Sequence, residues 1–373
     1  MRWVRNAAIV ATALLGMVLT GEAAAARPVT DCPMRDTPFS ADSPLVDLLL
    51  SPAAKAVLDQ HGARSLAKLP PIFGSTTPPT FTAILTLRTA NMLTGLKPSA
   101  MPEIDAQLRA LPLTQADRIA RCARYDNEVP AFTLDPGKRH LLLFEKINGF
   151  KDVPSVDAAH KAFADMAARK GWDIVATDKG GAINPATLKR FDAVIWNNIS
   201  GDVLTLAQRK ALRDYLNAGG GFVAVHGSAG DPAYFWEWYA DRLIGARFIG
   251  HPMGPQFQEA RIVANKAHPL AKALPAEWRM TDEWYSFSTD PRRVGAKVVL
   301  TLDESTYKPV GTAGADLRMG DHPLAWTNCI GPRKRGRMFY SAIGHLPATY
   351  GRAEYVTLLE AAIDWASTRA ACR

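Results

Sequence analysis

Residues 219–226 read Gly219-Gly220-Gly221-Phe222-Val223-Ala224-Val225-His226. Three glycines cannot continue a helix, so they end the one before them. Four apolar residues behind such a stop make a short strand covered on both faces. The run closes on an imidazole followed by Gly227. That is a strand–turn–helix corner, a geometry that presents one side chain at the rim of a sheet. Upstream, Thr205-x-x-Gln208 fits a capping box and opens a helix that runs to Leu216.

The same alternation extends outward in both directions. His140–Phe144 is a continuous apolar run, Val156–Lys170 is helical and stops at Gly171, and Asp173–Ala176 and Phe191–Trp196 are further strands. Beyond the corner, Ala296–Leu302, Ala325–Cys329 and Arg337–Ser341 read as strands, and Tyr355–Ala366 as a closing helix. Short buried strands alternating with helices of about a dozen residues imply βαβ units and a doubly wound α/β domain on a parallel sheet. Its expected span is 136–373.

Residues 27–135 differ in character. Asp42–His61, Thr82–Leu93 and Ile104–Cys122 carry helical patterns, the last broken by Pro112, and 129–137 reads as a linker. His61 stands alone there, so a small packing or partner-docking helical segment is expected. Residues 1–26 read as a secretory signal peptide: Arg2 and Arg5, an apolar run from Ala7 to Leu19, then Ala23–Ala26. The apolar run is short for a membrane span. A periplasmic or secreted protein with no membrane span after cleavage is the expectation. Four cysteines, Cys32, Cys122, Cys329 and Cys372, allow three pairings, and pairing within each region is expected.

The chain has 373 residues, 47% of them hydrophobic, so disordered, collagenous and coiled-coil classes are excluded. The net charge of +8 is spread thinly. The one basic run, Pro332–Arg337, reads as a solvated hairpin turn, and no nucleic-acid partner is expected.

In open parallel sheets ligands bind beyond the carboxyl ends of the strands. That rule selects Asn197 after one strand, His226 after the next and His345 after the last. His226 stands where a nucleophilic Ser or Cys would be, so a metal ligand or general base suits it better. His251, with Glu283, completes a set of imidazoles and one carboxylate of the kind that binds Zn, Mn or Fe with open positions. No H-x-x-x-H pair ties these residues together in sequence, so only the fold can unite them. Trp284, Tyr285 and Trp326 are flat amphipathic rings suited to sugar faces. His268 and His322 read as loop residues satisfied by backbone.

Several of these runs together resemble the ThuA-like (trehalose utilisation) domain: Gly219–His226, Leu243–Phe248 with His251-Pro252, His268-Pro269 and Asp282–Tyr285. The resemblance continues through Val298–Glu304, His322–Trp326 and Gly336–Tyr340 with Gly344-His345. It implies a flavodoxin-like fold similar to class I glutamine amidotransferases, with His226 in place of the catalytic Cys. It implies a carbohydrate partner, a glycoside or keto-sugar of the trehalose-like disaccharide class. It points to His226, Glu283 and His345 as catalytic residues, and to His226, His251 and His345 as ligands of a divalent metal. Many members carry a His where this chain has Asp152, after Gly149-Phe150-Lys151. Asp152 then substitutes as an oxygen donor toward metal or substrate, or the site is altered. A non-catalytic carbohydrate-binding module and an amidotransferase-like relative lacking the Cys are the alternative readings.

Overall fold

The computed structural model describes residues 28–62, 70–368, 370 and 372. The expected leader, 1–26, lies outside them. Eleven strands follow in chain order: β1 His140–Phe144, β2 Asp173–Thr177, β3 Ala193–Asn197, β4 Gly221–Val225, β5 Phe248–Gly250 and β6 Phe257–Ala264. The remaining five are β7 Glu277–Glu283, β8 Ser286–Phe287, β9 Lys297–Asp303, β10 His322–Ile330 and β11 Gly336–Ser341.

Nine strands form one sheet in the order β2-β1-β3-β4-β11-β10-β9-β6-β7. The half from β2 to β11 is parallel throughout. Its strands β1, β3 and β4 are buried almost without break, as expected where helices cover both faces. The Val153–Lys170 helix ends where Gly171 takes the left-handed conformation (φ 67°). The Leu206–Asn217 helix is opened by the expected Thr205/Gln208 capping box. This is the doubly wound α/β fold read from the sequence.

From β11 onward the sheet is antiparallel, with β10, β9, β6 and β7 added in turn. The sequence reading missed β5, β6, β7 and β8. In β7, Trp278, Met280 and Asp282 are buried while Glu277, Arg279 and Thr281 face water. A strand covered on one face alternates polar with apolar, so it lacks the continuous apolar run that revealed β1 and β4. Residues 332–335 of the basic run form the exposed turn of the β10–β11 hairpin, as expected, whereas Arg337 is a correction: it is buried in β11 and donates to Thr368 O and Ala370 O.

The N-terminal region has its own apolar core, including Phe39, Leu45, Leu48, Leu58, Ile104 and Leu108. The expected helix over 42–61 is two helices, Leu45–Leu50 and Pro52–Gln60, because Ser51 caps the second and Pro52 begins it. The expected helix over 82–93 is a correction. Residues Phe81–Ile84 form one 3₁₀ turn and Asn91–Thr94 one short helix. Threonine hydroxyls explain the break: Thr80 Oγ1 accepts from Thr82 N and Thr89 Oγ1 from Thr86 N (2.8 Å), drawing backbone donors away from a helix. Pro112 divides the third segment into Met101–Ala110 and Gln115–Cys122.

Thr80 N bonds Asn148 O (3.0 Å), and Tyr125 donates to Asp202 (2.8 Å), so the N-terminal core is fastened onto the loops after β1 and β3. The disulfides are Cys32–Cys122 and Cys329–Cys372, one within each region. Among the described residues no helix is long and apolar enough to cross a membrane.

Candidate functional site

Strand β4 delivers His226 to the carboxyl edge of the parallel half, and the chain turns there at φ 36°. A positive φ at a non-glycine residue is costly and persists only where the surroundings enforce it. Three contacts do so. Tyr340 donates its hydroxyl to His226 O (2.9 Å), the imidazole stacks on Tyr285 at 4.1 Å, and Nδ1 lies 2.9 Å from Ala342 O. A carbonyl at Nδ1 takes the proton on that nitrogen, and Nε2 is the ring nitrogen turned toward Glu283 and the cavity. Gly344 admits this packing: a Cβ on it, at φ 134°, would meet the Tyr350 hydroxyl and lie 3.3 Å from His226 Cβ.

Glu283 arrives from the opposite half of the sheet, at the end of β7. Its Oε2 lies 3.4 Å from His226 Nε2 and 3.0 Å from His345 Nδ1, and the two imidazoles are 3.2 Å apart through the same atoms. One ligand atom from each of these three residues lies within 4.8 Å of the others. His251 approaches the second oxygen, Nδ1 to Oε1 at 3.2 Å. Burial by itself would raise the Glu283 carboxyl; hydrogen bonds to His226 and His345 and the charges of His226 and His251 outweigh it and hold it well below the carboxylate range. Burial would likewise lower His345, but the hydrogen bond and charge of Glu283, with Asp152 and Asp282, raise it instead.

Asp282 is the residue that sequence reasoning passed over. It is fully buried, and its Oδ1 accepts from the backbone N–H groups of Glu283 (2.8 Å), His345 (3.0 Å) and Leu346 (3.2 Å). Its Oδ2 accepts from Gly344 N (2.9 Å) and the Thr349 hydroxyl (2.8 Å). One carboxylate thus shapes the turn that carries His345 and ties it to β7. Burial pushes this carboxyl above its ordinary value, while His226 and the donors act against the rise. The available signal was two adjacent acids ending an alternating strand.

The structure unites His226, Glu283 and His345 and sets Tyr285 beside them; His251, expected as a metal ligand, stands outside the three clustered ligand atoms with Nδ1 against Glu283 Oε1, and Glu283 takes its place. Asp152 lines the same cavity but faces the other nitrogen of His345, Oδ2 to Nε2 at 3.8 Å, and takes the Ser155 hydroxyl. It therefore does not take a place among the three clustered ligand atoms. Three expected substrate contacts are corrected. Asn197 is buried under the sheet edge, donating to Glu145 (2.7 Å) and Val156 O (2.9 Å). Trp284 and Trp326 are fully buried, their indole N–H groups spent on Gln258 O (2.9 Å) and Ile244 O (2.8 Å). Large rings beside the site, Trp284 after β7 and Trp326 on β10, are drawn into core packing. His268 is satisfied as expected, accepting from Leu270 N (3.2 Å); His322 is a correction, because it begins β10 and its ring is held by the Glu304 side chain (2.9 Å) as well as lying 2.8 Å from Tyr285 O.

The site opens into a cavity of about 730 Å³. On its floor Asp231 binds the Ser200 hydroxyl (2.6 Å) and Gly201 N (2.7 Å), and burial pushes its carboxyl up to about 7. Phe73, Phe81, Ile84 and Leu93 of the N-terminal region form one wall, a contribution that no residue of that region announced.

Comparison with known proteins gives the family and the fold. Residues 140–366 match the family described as trehalose utilisation, ThuA. No curated protein matches. A solved ThuA-like protein from Bacteroides uniformis is 24% identical and superposes with a TM-score of 0.53 over 64% of this chain and 95% of its own. Another from Parabacteroides merdae is 18% identical, with a TM-score of 0.47 over 63% of this chain and 92% of its own. A glutamine amidotransferase from Thermotoga maritima is 13% identical, with a TM-score of 0.35 over 61% of this chain and 98% of its own. The matched span contains the whole parallel half of the sheet and every residue of the imidazole–carboxylate cluster. The chain belongs to the ThuA, trehalose utilisation, family.

Proposed function

We propose that this is an exported protein of carbohydrate metabolism that acts on a glycoside or keto-sugar of the trehalose-like disaccharide class. Its site is His226, Glu283 and His345, which hold a divalent metal ion. The observation that carries this reading is the meeting of three ligand atoms within 4.8 Å at the edge of the sheet. Two neutral imidazoles and one carboxylate match the donor set of Zn, Mn or Fe sites that keep positions open. The Ala342 carbonyl on His226 Nδ1 is the outer partner that fixes such a ligand's tautomer. An ion bound there supplies Lewis-acid polarisation of a sugar carbonyl or hydroxyl, or of water.

The chain's own groups do the rest. With Oε2 given to the ion, the Glu283 carboxylate would accept a proton from the sugar or from water at Oε1, which His251 Nδ1 (3.2 Å) and Gln256 Nε2 (2.5 Å) now hold. His345, with Nδ1 given to the ion, would keep its proton on Nε2, which faces Asp152 Oδ2 at 3.8 Å. Tyr285 fixes the plane of the His226 ring. Thiol-dependent amide hydrolysis has no nucleophile, because all four cysteines are in disulfides. Export is supported by the charged, apolar and small-residue pattern of 1–26 and by those disulfides.

The test is turnover of a panel of disaccharides and their keto forms by metal-loaded protein, wild type against Glu283→Gln. Turnover of a panel member that falls by at least about 10²-fold in the variant supports the proposal. Binding without turnover favours the non-catalytic carbohydrate-binding alternative, and neither binding nor turnover of any sugar refutes the carbohydrate reading.

A further inference from the structure

The cavity has two unlike ends. Around Glu283 it is polar. The opposite wall is made by the N-terminal region, outside the family's matched span, and is almost wholly apolar. On that wall the rings form a continuous ladder. Phe73 stacks on Phe81 at 4.7 Å and 25°, Phe81 lies 5.0 Å from Phe150 at 36°, and Phe150 lies 6.4 Å from the His345 ring at 27°. The ladder leads from the N-terminal core to the imidazole at the reactive end.

The wall is held in place rather than draped. Thr80, which begins the Phe81 turn, bonds Asn148 O at 3.0 Å, next to the loop that carries Phe150. Gly149 leaves room for the Ile84 side chain, which a Cβ there would strike. A second observation comes from the other side of the mouth. Ile249 and Met253 line the cavity and are each 51% exposed. Large apolar side chains left in water at a pocket rim mark a surface that an apolar group covers. A cavity of about 730 Å³ lies well inside the range of sites for ligands with two parts.

We propose that Phe73, Phe81 and Phe150 form a subsite for an aromatic aglycone, so that this protein takes aryl glycosides, with the sugar at the His226–Glu283–His345 end. The inference rests on the glycoside reading above and sets an aryl group in place of the second sugar of a disaccharide. Rings turned face to face with one another offer their edges to the cavity, and an edge-to-face contact accepts a planar group with little reorganisation. Trehalose-like sugars, hydroxylated at both ends, leave such a wall uncovered.

The test compares affinities of para-nitrophenyl and methyl glucosides of the same anomer, together with para-nitrophenol alone, for the metal-loaded full chain. Burying one aromatic ring predicts an aryl preference of at least about tenfold in the wild type. Phe81→Ala and the more peripheral Phe73→Ala are expected to reduce that preference, with thermal unfolding showing that each variant is folded. Equal affinity for aryl and methyl glucosides overturns the subsite and leaves the carbohydrate reading standing. Binding of para-nitrophenol, lost in Phe81→Ala, with no binding of either glucoside, or no binding of any of the three, overturns the aryl-glycoside proposal, and the disaccharide panel above then decides the carbohydrate reading by itself.

Discussion

Replacing Asp282 separates the residue that builds the site from those that do its chemistry. In the wild type this buried carboxylate accepts five hydrogen bonds, four from backbone N–H groups and one from Thr349. A hydrogen bond to a charged group contributes about 1.5–3 kcal/mol, but such contributions do not add, and cavity water can reach some of the freed donors. Stripping one side of a buried charged network costs about 3–5 kcal/mol, and that is the expectation for Asp282→Ala. Asp282→Asn keeps the shape. Its carbonyl can still receive Glu283, His345 and Leu346, but its amide then faces Gly344 N–H donor to donor. The expected loss is about 1–3 kcal/mol. Because the same carboxylate sets the His345 turn, zinc affinity is expected to fall about 10- to 100-fold in Asp282→Asn. Urea unfolding and zinc titration of the two variants measure these effects. Asp282→Ala within about 0.5 kcal/mol of wild type, or Asp282→Asn with unaltered zinc affinity, would refute the positioning role.

Three further outcomes follow from other parts of the molecule. Gly344→Ala places a Cβ against the Tyr350 hydroxyl and His226 at φ 134°, so it is expected to destabilise by about 1–3 kcal/mol in thermal unfolding; an unchanged midpoint contradicts the packing described. Burial lowers the His268 imidazole to about 4, with the Lys297 charge adding to the effect. The unfolded chain, near the ordinary 6.5, therefore binds the extra proton between these values, and stability is full above about pH 6.5 and falls as pH drops toward 4. The expected loss, on the order of 2–3 kcal/mol, is read as the difference in pH dependence between wild type and His268→Gln, and parallel curves would refute it. Cys32–Cys122 spans 90 residues, so its reduction is expected to remove about 4 kcal/mol from the N-terminal region; an unfolding curve indifferent to reductant contradicts this.

The parallel half of the sheet was legible because its strands are apolar on both faces and its helices carry capping signals, as at Thr205 and Gly171. The antiparallel half was not, because β6 and β7 bury one face and alternate. For the site, the rule that chemistry sits beyond the carboxyl ends of parallel strands located His226 and His345. Glu283 comes from a strand whose existence the reading missed, so its place followed from the family resemblance rather than from topology. Trp284 and Trp326 show the limit of composition: an aromatic beside a site is as readily core as contact, and only packing decides. Asp282 and the Phe73–Phe81 wall were invisible because their roles depend on what faces them across the sheet and across the two cores.

The central claim is that His226 Nε2, His345 Nδ1 and Glu283 Oε2 converge as one metal site, and calorimetric titration of metal-free protein with zinc tests it most directly. The account predicts one ion bound per chain in the wild type and loss of that binding in His226→Ala, His345→Ala and Glu283→Gln alike. Absence of stoichiometric binding in the wild type, or binding that survives all three substitutions, would contradict it.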